Sequence, residues 1–360
     1  MSKEQISVSA PGKIHLLGEH VVVHGKPAII TTIDKRCVVK LFPSENSDIR
    51  VTSKNLNASV TVSAEKIHGI REQAQNQWEQ YRDSNDASIL KSITEDEMDF
   101  PVIAIGETLH YFDRNVPSGF SLSIESEVPI GAGLGSSAAT AVSVVAAMTS
   151  FLGEDIDSNK GVINDIAFLV EQKKHGMPSG GDNAAVCFGG LIWFRKETPD
   201  LKIIQPVPFS IPESIAENFL IIDTGRPTES TGEMVAMVRS RYQEDQDSVG
   251  KLLHDQERLT RELLAALKSG NEQDIMEIIR LGSLNLQNLG VVSPSVIKLI
   301  NEIEQAGGVA KICGAGGKTE ASGVVLAYHP DKTVSQGIAS KHNLKQYDAV
   351  LGAEGLREEK

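Results

Sequence analysis

Residues 129–139, with the sequence PIGAGLGSSAA, place three glycines and two serines directly before an apolar, helix-like stretch. Glycine lets the backbone of a tight loop approach a ligand closely. The free amides and positive dipole end of a following helix favour a phosphate, and Ser136 and Ser137 add hydroxyls for phosphate oxygens or Mg²⁺. No Gly-Lys-Ser/Thr ending follows, so this is not a Walker loop. The segment predicts a phosphate site, and a structural turn before a buried helix is the alternative.

A lysine and two carboxylates occur in two other segments. Lys13 lies in PGKIHLLGEH (residues 11–20), after a Pro-Gly pair where a strand is expected to end and a turn would project the side chain. Glu171 closes a predicted helix, and Asp182 follows the turn of residues 178–181. Across such a turn the carboxylates can face one site, where one holds a metal ion and the other accepts a proton. Taken singly, each is more simply a surface charge.

A second glycine-rich turn, CGAGG at residues 313–317, stands between two predicted strands. By itself it is equally typical of an ordinary tight connection between strands.

Taken in this order, residues 11–20, 129–139 and 313–317 resemble the three motifs of the GHMP kinases. Residues 175–185, HGMPSGGDNAA, resemble the segment HGxPSGxDNA of the mevalonate kinase family. The resemblance spans most of the chain, positions 11 to 323. It implies a two-domain α+β fold: an N-terminal domain like domain 2 of ribosomal protein S5 and a C-terminal ferredoxin-like α/β sandwich with extra helices. It also implies transfer of the γ-phosphoryl group of ATP to the C5 hydroxyl of (R)-mevalonate, a step of isoprenoid biosynthesis.

The same resemblance implies roles for individual residues, with ATP and Mg²⁺ as cofactors. The matched residues are Lys13 and Asp182 for catalysis, Ser137 and Glu171 for Mg²⁺, His20 and Ser179 for the substrate region, and Gly131, Ala132, Gly133, Leu134, Gly135, Ser136 and Ser137 for the ATP phosphates. The third motif departs from the family, because Lys318, Thr319 and Glu320 stand where a glycine run is usual.

Arg195 is a further candidate from chemistry alone. The acceptor that the resemblance implies is an anion, and a guanidinium can pair with a carboxylate through two hydrogen bonds. Arg195 ends the strand predicted after the Asp182 segment, so we expect it to return past the site; an exposed arginine at a strand end is the alternative.

Composition limits the classes of molecule that this chain is expected to bind. A net charge of −13 opposes binding to nucleic acid, but it does not oppose a small anion held by local amides. The three cysteines form no pair of the CxxC type, which indicates reduced thiols. No signal peptide and no apolar stretch long enough for a membrane span is evident, so we expect a cytoplasmic protein that acts on a small molecule. A homodimer stays open.

The elements follow from periodicity and end signals. We expect two domains, residues 1–205 and 206–360, because residues 197–212 are rich in proline. Residues 52–100 are polar and predict a surface insertion or mobile lid, or a solvated loop. Strands are predicted at 5–10, 36–42, 119–126, 189–195, 218–225, 309–314 and 323–329, and helices at 136–151, 159–174 (capped by Asp157 or Ser158), 229–245, 248–268, 272–289 and 294–306.

Three alternatives stay open. One is another kinase of the superfamily, such as phosphomevalonate kinase or homoserine kinase; Lys173, Lys174 and Arg195 are available for a phosphorylated acceptor. A related decarboxylase is disfavoured by Glu171 and the HGxPSGxDN pattern. The third is a metabolite sensor without activity, against which the presence of Lys13, Glu171 and Asp182 argues.

Overall fold

The computed structural model describes residues 5–198 and 201–359, which form two β-sheets with helices packed against them. The strands are β1 (Ile6–Leu17), β2 (Pro27–Pro43), β3 (Ile49–Ser53), β4 (Ala58–Val62), β5 (Phe120–Ser126), β6 (Leu191–Lys196), β7 (Lys202–Pro206), β8 (Phe219–Asp223), β9 (Val309–Cys313), β10 (Val324–Tyr328), β11 (Lys345–Asp348) and β12 (Arg357–Glu358). The helices are α1 (Ala64–Ser84), α2 (Ala87–Ile93), α3 (Asp99–Tyr111), α4 (Ser136–Phe151), α5 (Lys160–His175), α6 (Gly181–Phe188), α7 (Glu213–Ala216), α8 (Thr231–Glu244), α9 (Gln246–Ser269), α10 (Glu272–Asn288), α11 (Pro294–Gln305) and α12 (Lys332–Lys341).

The first sheet is organised around the long strand β2. Its first half pairs with β6 and its second half with β5, while β1 runs antiparallel along its other side. Beyond β5 lie β3 and β4, and β12 pairs with the outer edge of β1. The strand predicted for residues 119–126 is therefore confirmed as β5, which begins at Phe120, and the predicted strand of residues 36–42 is part of a longer one.

Strand β1 does not end before Lys13, which corrects the expectation of a turn there. The strand continues to Leu17, and two shifts of register interrupt its pairing with β2, at Pro11/Gly12 and at His15/Leu17. Such bulges bend a strand and turn its side chains toward a new direction. Lys13 is therefore presented by a bulged strand and is buried.

Helix α4 is the buried centre of the first domain and confirms the prediction for residues 136–151. Small residues fill it, and most of its side chains are buried against β1, β2, α3, α5 and α6. It begins after Gly135, whose φ of 77° is left-handed, and Gly153 with φ of 86° follows its end. Helix α5 also confirms its prediction, but its N-cap is Asn159, so the expected cap at Asp157 or Ser158 is wrong.

Residues 52–100 are regular structure, so the expectation of a loop is wrong. They contain the end of β3, all of β4, α1, α2 and the start of α3. Helix α1 buries only Ile67 and Ala74, which explains the missing apolar pattern. It packs on α3 and contacts α5, where the indole N–H of Trp78 donates to the Gly176 carbonyl at 2.9 Å.

The second sheet has the order β11-β8-β10-β9, with every neighbouring pair antiparallel. Its strands follow the chain as β8, helices, β9, β10, α12 and β11, which is the ferredoxin-like arrangement expected from the motifs. Helices α8 to α11 confirm the four predicted helices, and Gly270, Gly290 and Gly307 follow the last three with positive φ. The short α7, helix α12 and strands β11 and β12 were not predicted.

The proline-rich stretch after β6 holds one more strand, because β7 pairs with β6 in the first sheet. Pro199, on which that prediction partly rested, lies outside the described residues. The division at residue 205 stays a prediction. Among the described helices, none is both long and apolar enough to cross a membrane.

Candidate active site

Lys13 and Asp182 form an ion pair at the centre of the candidate site. Lys13 Nζ lies 2.9 Å from Asp182 Oδ2. Lys13 comes from β1, while Asp182 occupies the first turn of α6, a helix that was not predicted. The Lys13 side chain is 6% exposed, but that of Asp182 is 40% exposed. The carboxylate is therefore bound by the lysine on its buried side and accessible to a ligand on its exposed side.

The charge state of Asp182 follows from its neighbours. Burial opposes ionisation, but the Lys13 ammonium and the His15 ring outweigh it, so the pKa of this carboxyl lies well below its ordinary value. His15 Nε2 lies 3.5 Å from Asp182 Oδ1, the oxygen that Lys13 does not contact. Asp182 is thus an anion at neutral pH, which a proton acceptor must be.

The glycine loop lies directly against Lys13. The Lys13 amide donates to the Leu134 carbonyl at 2.8 Å, and a Cβ on Gly135 would lie 2.7 Å from Lys13 Cγ. Gly131 and Gly133 have φ of 79° and 76°, and a Cβ on either would meet no atom within 4 Å. The loop is therefore packed on its Lys13 side and open at Gly131 and Gly133, where backbone amides at the start of α4 could receive a phosphate.

Ser137, Glu171 and His175 form a cluster beside this loop. Ser137 Oγ donates to Glu171 Oε2 at 3.2 Å and lies 3.1 Å from His175 Nε2. The second carboxylate oxygen, Oε1, is buried and has no hydrogen-bond partner among the described residues. Burial, and next the charge of Asp182, raise the pKa of Glu171 to about 7. Burying a carboxylate oxygen without a partner costs free energy, and a bound cation would offset that cost.

The donor set fits Mg²⁺. The described residues contain no group of three or more His, Cys, Asp or Glu that could hold a metal ion by themselves. Mg²⁺ does not require one, because it commonly takes one or two protein oxygens together with substrate phosphates and waters. The unpartnered oxygen of Glu171 and the hydroxyl of Ser137 supply such oxygens next to the loop.

His20 connects the first motif to the third. Its backbone is left-handed, with φ of 62°, and Nε2 lies 2.8 Å from the Ala315 carbonyl. Its Nδ1 is buried without a hydrogen-bond partner among the described residues, and burial lowers the pKa of the ring. Next to it, Glu19 Oε1 accepts from Lys311 Nζ at 2.5 Å in a pair shielded from solvent.

The third glycine turn is packed against protein. A Cβ on Gly316 would lie 2.0 Å from the Val291 carbonyl oxygen. In the unusual part of the motif, the Lys318 amide and the Thr319 hydroxyl donate to Glu229, and the Glu320 carbonyl accepts from two serines at the start of α11. The three non-glycine residues thus anchor this turn, within its own domain, to Glu229 and to the start of α11.

Two sequence-predicted residues have other contacts. The Ser179 hydroxyl accepts from the Gly181 amide at 3.1 Å and so closes the turn that begins α6. Arg195 Nε donates to the Gly25 carbonyl at 2.8 Å and lies 2.9 Å from Glu197 Oε1. No hydrogen bond or ion pair joins either side chain to Asp182 among the described residues, and their roles toward the substrate stay predictions.

Sequence reasoning missed three side chains that border the site. His15 is two residues after Lys13, and in a strand this spacing points both side chains to one face. His175 is four residues after Glu171, the spacing of neighbours on a helix. For Lys311 the sequence offers no comparable signal, because its partner Glu19 is 292 positions away.

Comparisons with known proteins identify the family. The family model described as "GHMP kinases N terminal domain" matches residues 102–190, and "GHMP kinases C terminal" matches residues 263–318. A mevalonate kinase of Archaeoglobus fulgidus is 31% identical over 86% of this chain and 88% of its own length, and one of Pyrococcus horikoshii is 30% identical over 87% and 86%. The solved mevalonate kinase of Methanococcus jannaschii is 20% identical, covers 98% of this chain and 99% of its own, and superposes with a TM-score of 0.76.

The chain therefore belongs to the GHMP kinases, which are ATP-dependent, and within them to the mevalonate kinase family. The family resemblance and the two-domain fold expected from the motifs are both confirmed.

Proposed function

We propose that this chain transfers the γ-phosphoryl group of ATP to the C5 hydroxyl of (R)-mevalonate, yielding 5-phosphomevalonate and ADP. The observation that carries the proposal is the Lys13–Asp182 ion pair, joined through Leu134 and Gly135 to an open glycine loop at the start of α4. The choice of acceptor is supported by relatives at 30% identity or more, such as the two described above, which are named mevalonate kinases.

In the proposed reaction the acceptor oxygen bonds to the γ-phosphorus and the bond from that phosphorus to the β–γ bridging oxygen breaks. Asp182 orients the hydroxyl and receives its proton as the new bond forms; its lowered pKa keeps the carboxylate ionised and free to accept, although it also makes Asp182 a weak base. Lys13 fixes the carboxylate and offsets negative charge that develops near the transferred group. Positioning and charge stabilisation dominate this chemistry, so few groups are needed.

Residues 131–137 are proposed to hold the ATP phosphates with backbone amides, and Ser137 and Glu171 to hold Mg²⁺. When bound, Mg²⁺ would neutralise charge on the phosphates. His20, Ser179 and Arg195 remain proposed substrate residues from the sequence. The cytoplasm as location and a homodimer as assembly likewise remain predictions from the sequence.

A coupled assay of ADP release tests the proposal. The purified chain is given ATP and Mg²⁺ with mevalonate, phosphomevalonate, homoserine or galactose in parallel, and ³¹P NMR identifies the product. We expect turnover with mevalonate and a phosphate monoester at C5. Faster turnover with another of these acceptors would replace the substrate assignment, and no turnover with any of them would favour a sensor.

A further inference from the structure

His15 is the second side chain that faces the carboxylate of Asp182. Lys13 contacts Oδ2 at 2.9 Å, and His15 Nε2 approaches Oδ1 at 3.5 Å. His15 is two residues after Lys13 on β1, and no register shift separates them. Both side chains therefore point to the same side, where α6 begins. The His15 side chain is largely buried, and Nδ1 has no hydrogen-bond partner in the described part of the chain.

The backbone of His15 is fixed by the second sheet. Its carbonyl accepts from Lys311 Nζ at 3.2 Å and from Cys313 Sγ at 3.3 Å, and both donors belong to β9. Lys311 is held in turn by Glu19. A register shift at His15/Leu17 disturbs the pairing of this part of β1 with β2. His15 is thus anchored on the strand that leads into the third glycine motif.

We propose that His15 is a positioning residue that sets the plane of the Asp182 carboxylate toward the acceptor hydroxyl. A carboxylate held through one oxygen can still turn about its Cβ–Cγ bond, and a contact at the other oxygen restrains that turn. A separation of 3.5 Å exceeds an ordinary hydrogen bond. Catalytic contacts are often long without substrate and tighten in the reacting complex. The inference rests on the proposed phosphoryl transfer to an alcohol.

His15→Gln and His15→Asn form a matched pair of variants. Both carry an amide donor, but the glutamine side chain is longer by one methylene and reaches the position of Nε2, whereas asparagine stops short of Asp182. Misplacement by about 1 Å can cost about 10²-fold in rate, so we expect His15→Asn to lose about 10-fold to 10²-fold in kcat and His15→Gln to recover most of it. KM for ATP should be unchanged in both, because the glycine loop is not touched.

The control is His329→Asn. His329 is half-buried and hydrogen-bonded like a structural histidine, and it follows the end of β10 that is remote from the third glycine turn. This variant should keep the wild-type kcat. Circular dichroism and urea unfolding check that all variants are folded; should His15→Asn fail to fold, His15→Ala, which lacks any donor, takes its place in the comparison with His15→Gln and in the double variant below.

A double variant separates positioning from a general structural role. If His15 acts through Asp182, then Asp182→Asn combined with His15→Gln or His15→Asn should be no slower than Asp182→Asn alone. Independent, multiplying losses would overturn the inference, and so would a His15→Asn enzyme with the kcat of wild type. Wild-type turnover is measured first with the four acceptors: failure there defeats the proposed function, whereas failure of the His15 variants to differ defeats only this inference.

Discussion

Two lysine–carboxylate pairs meet near strand β1, and they differ in what surrounds them. In the pair of Lys311 and Glu19, both side chains are at most 1% exposed. In the pair of Lys13 and Asp182, the lysine is buried but the carboxylate is 40% exposed. The first pair joins β9 of the second sheet to the turn that follows β1 and is closed to solvent, whereas the second offers a charged oxygen to a ligand.

The two glycine-rich turns show the same contrast between an open and a packed element. A Cβ would fit at Gly131 and Gly133 without meeting an atom within 4 Å, but at Gly316 and Gly317 it would clash with backbone oxygens. Glycine therefore leaves space open in one turn and allows close packing in the other. In both comparisons, the element proposed to take part in the reaction is open to solvent, and the element that supports the fold is closed.

The largest expected effect is at the open pair. Asp182→Asn keeps the shape of the side chain and removes the proton acceptor, so kcat should fall by about 10²–10⁴-fold while ATP affinity is nearly kept. Steady-state kinetics and calorimetry measure the two quantities. A folded Asp182→Asn enzyme with near wild-type kcat would remove Asp182 from the catalytic role.

The closed pair should matter for stability. Lys311→Met leaves the Glu19 carboxylate buried without its partner, and such a change costs about 3–5 kcal/mol of unfolding free energy. Lys13→Met leaves Asp182 accessible to water, so its cost should be smaller. Urea unfolding of the two variants compares them; equal losses would contradict the distinction drawn between the pairs.

Glu171 is a third case, a buried carboxylate with no lysine at ion-pair distance among the described residues. Its pKa is raised from 4.5 to about 7, so the folded state keeps a proton that the unfolded state loses, and stability falls as pH rises through this window. Glu171→Gln should therefore stabilise the metal-free protein by roughly 1–3 kcal/mol at pH 8. It should have little effect at pH 4.

Urea unfolding in the presence of EDTA at both pH values tests this expectation. The exposed Glu72 provides the control, since Glu72→Gln should change stability little at either pH. An equal gain from Glu171→Gln at pH 4 and pH 8 would show that the carboxylate charge is not the cause.

A smaller effect is expected at the open glycine turn. Gly133→Val introduces a branched side chain at φ of 76° in the space left for a ligand, and ATP affinity should fall about tenfold or more. Gly153→Val is its control, because Gly153 has φ of 86° and is equally free of neighbours but lies at the other end of α4. Similar ATP affinities of the two variants, measured by calorimetry, would refute the phosphate loop.

The helices predicted best from the sequence are those whose ends are marked by glycine. Helix α4 lies between Gly135 and Gly153, and Gly270 and Gly290 mark the ends of α9 and α10. Helix α6 was missed because it starts with Gly-Asp-Asn, and these residue types have low helix propensity. Its stability comes instead from the burial of residues such as Ala184.

The family motifs supplied single residues of the candidate site, whereas the side chains that border it only through the folded geometry were missed. The Pro-Gly pair before Lys13 suggested a turn, so the alternation that places His15 beside Lys13 was not recognised. The pairing of Lys311 with Glu19 depends on how two sheets meet, which no local pattern encodes. Helix α1 has too few buried residues for a periodicity to appear.

The pairing of β12 with β1 bears on how the protein is made. Ser9 and Glu359, which share a hydrogen bond at this edge, are 350 positions apart. At a synthesis rate of about 5–20 residues per second, the outer edge of β1 waits roughly 20–70 s for its neighbour. An unpaired strand edge invites association with other chains. The part of β1 around Val8 and Ser9 should therefore stay open to association with other chains over this interval, until Arg357 and Glu358 pair with it.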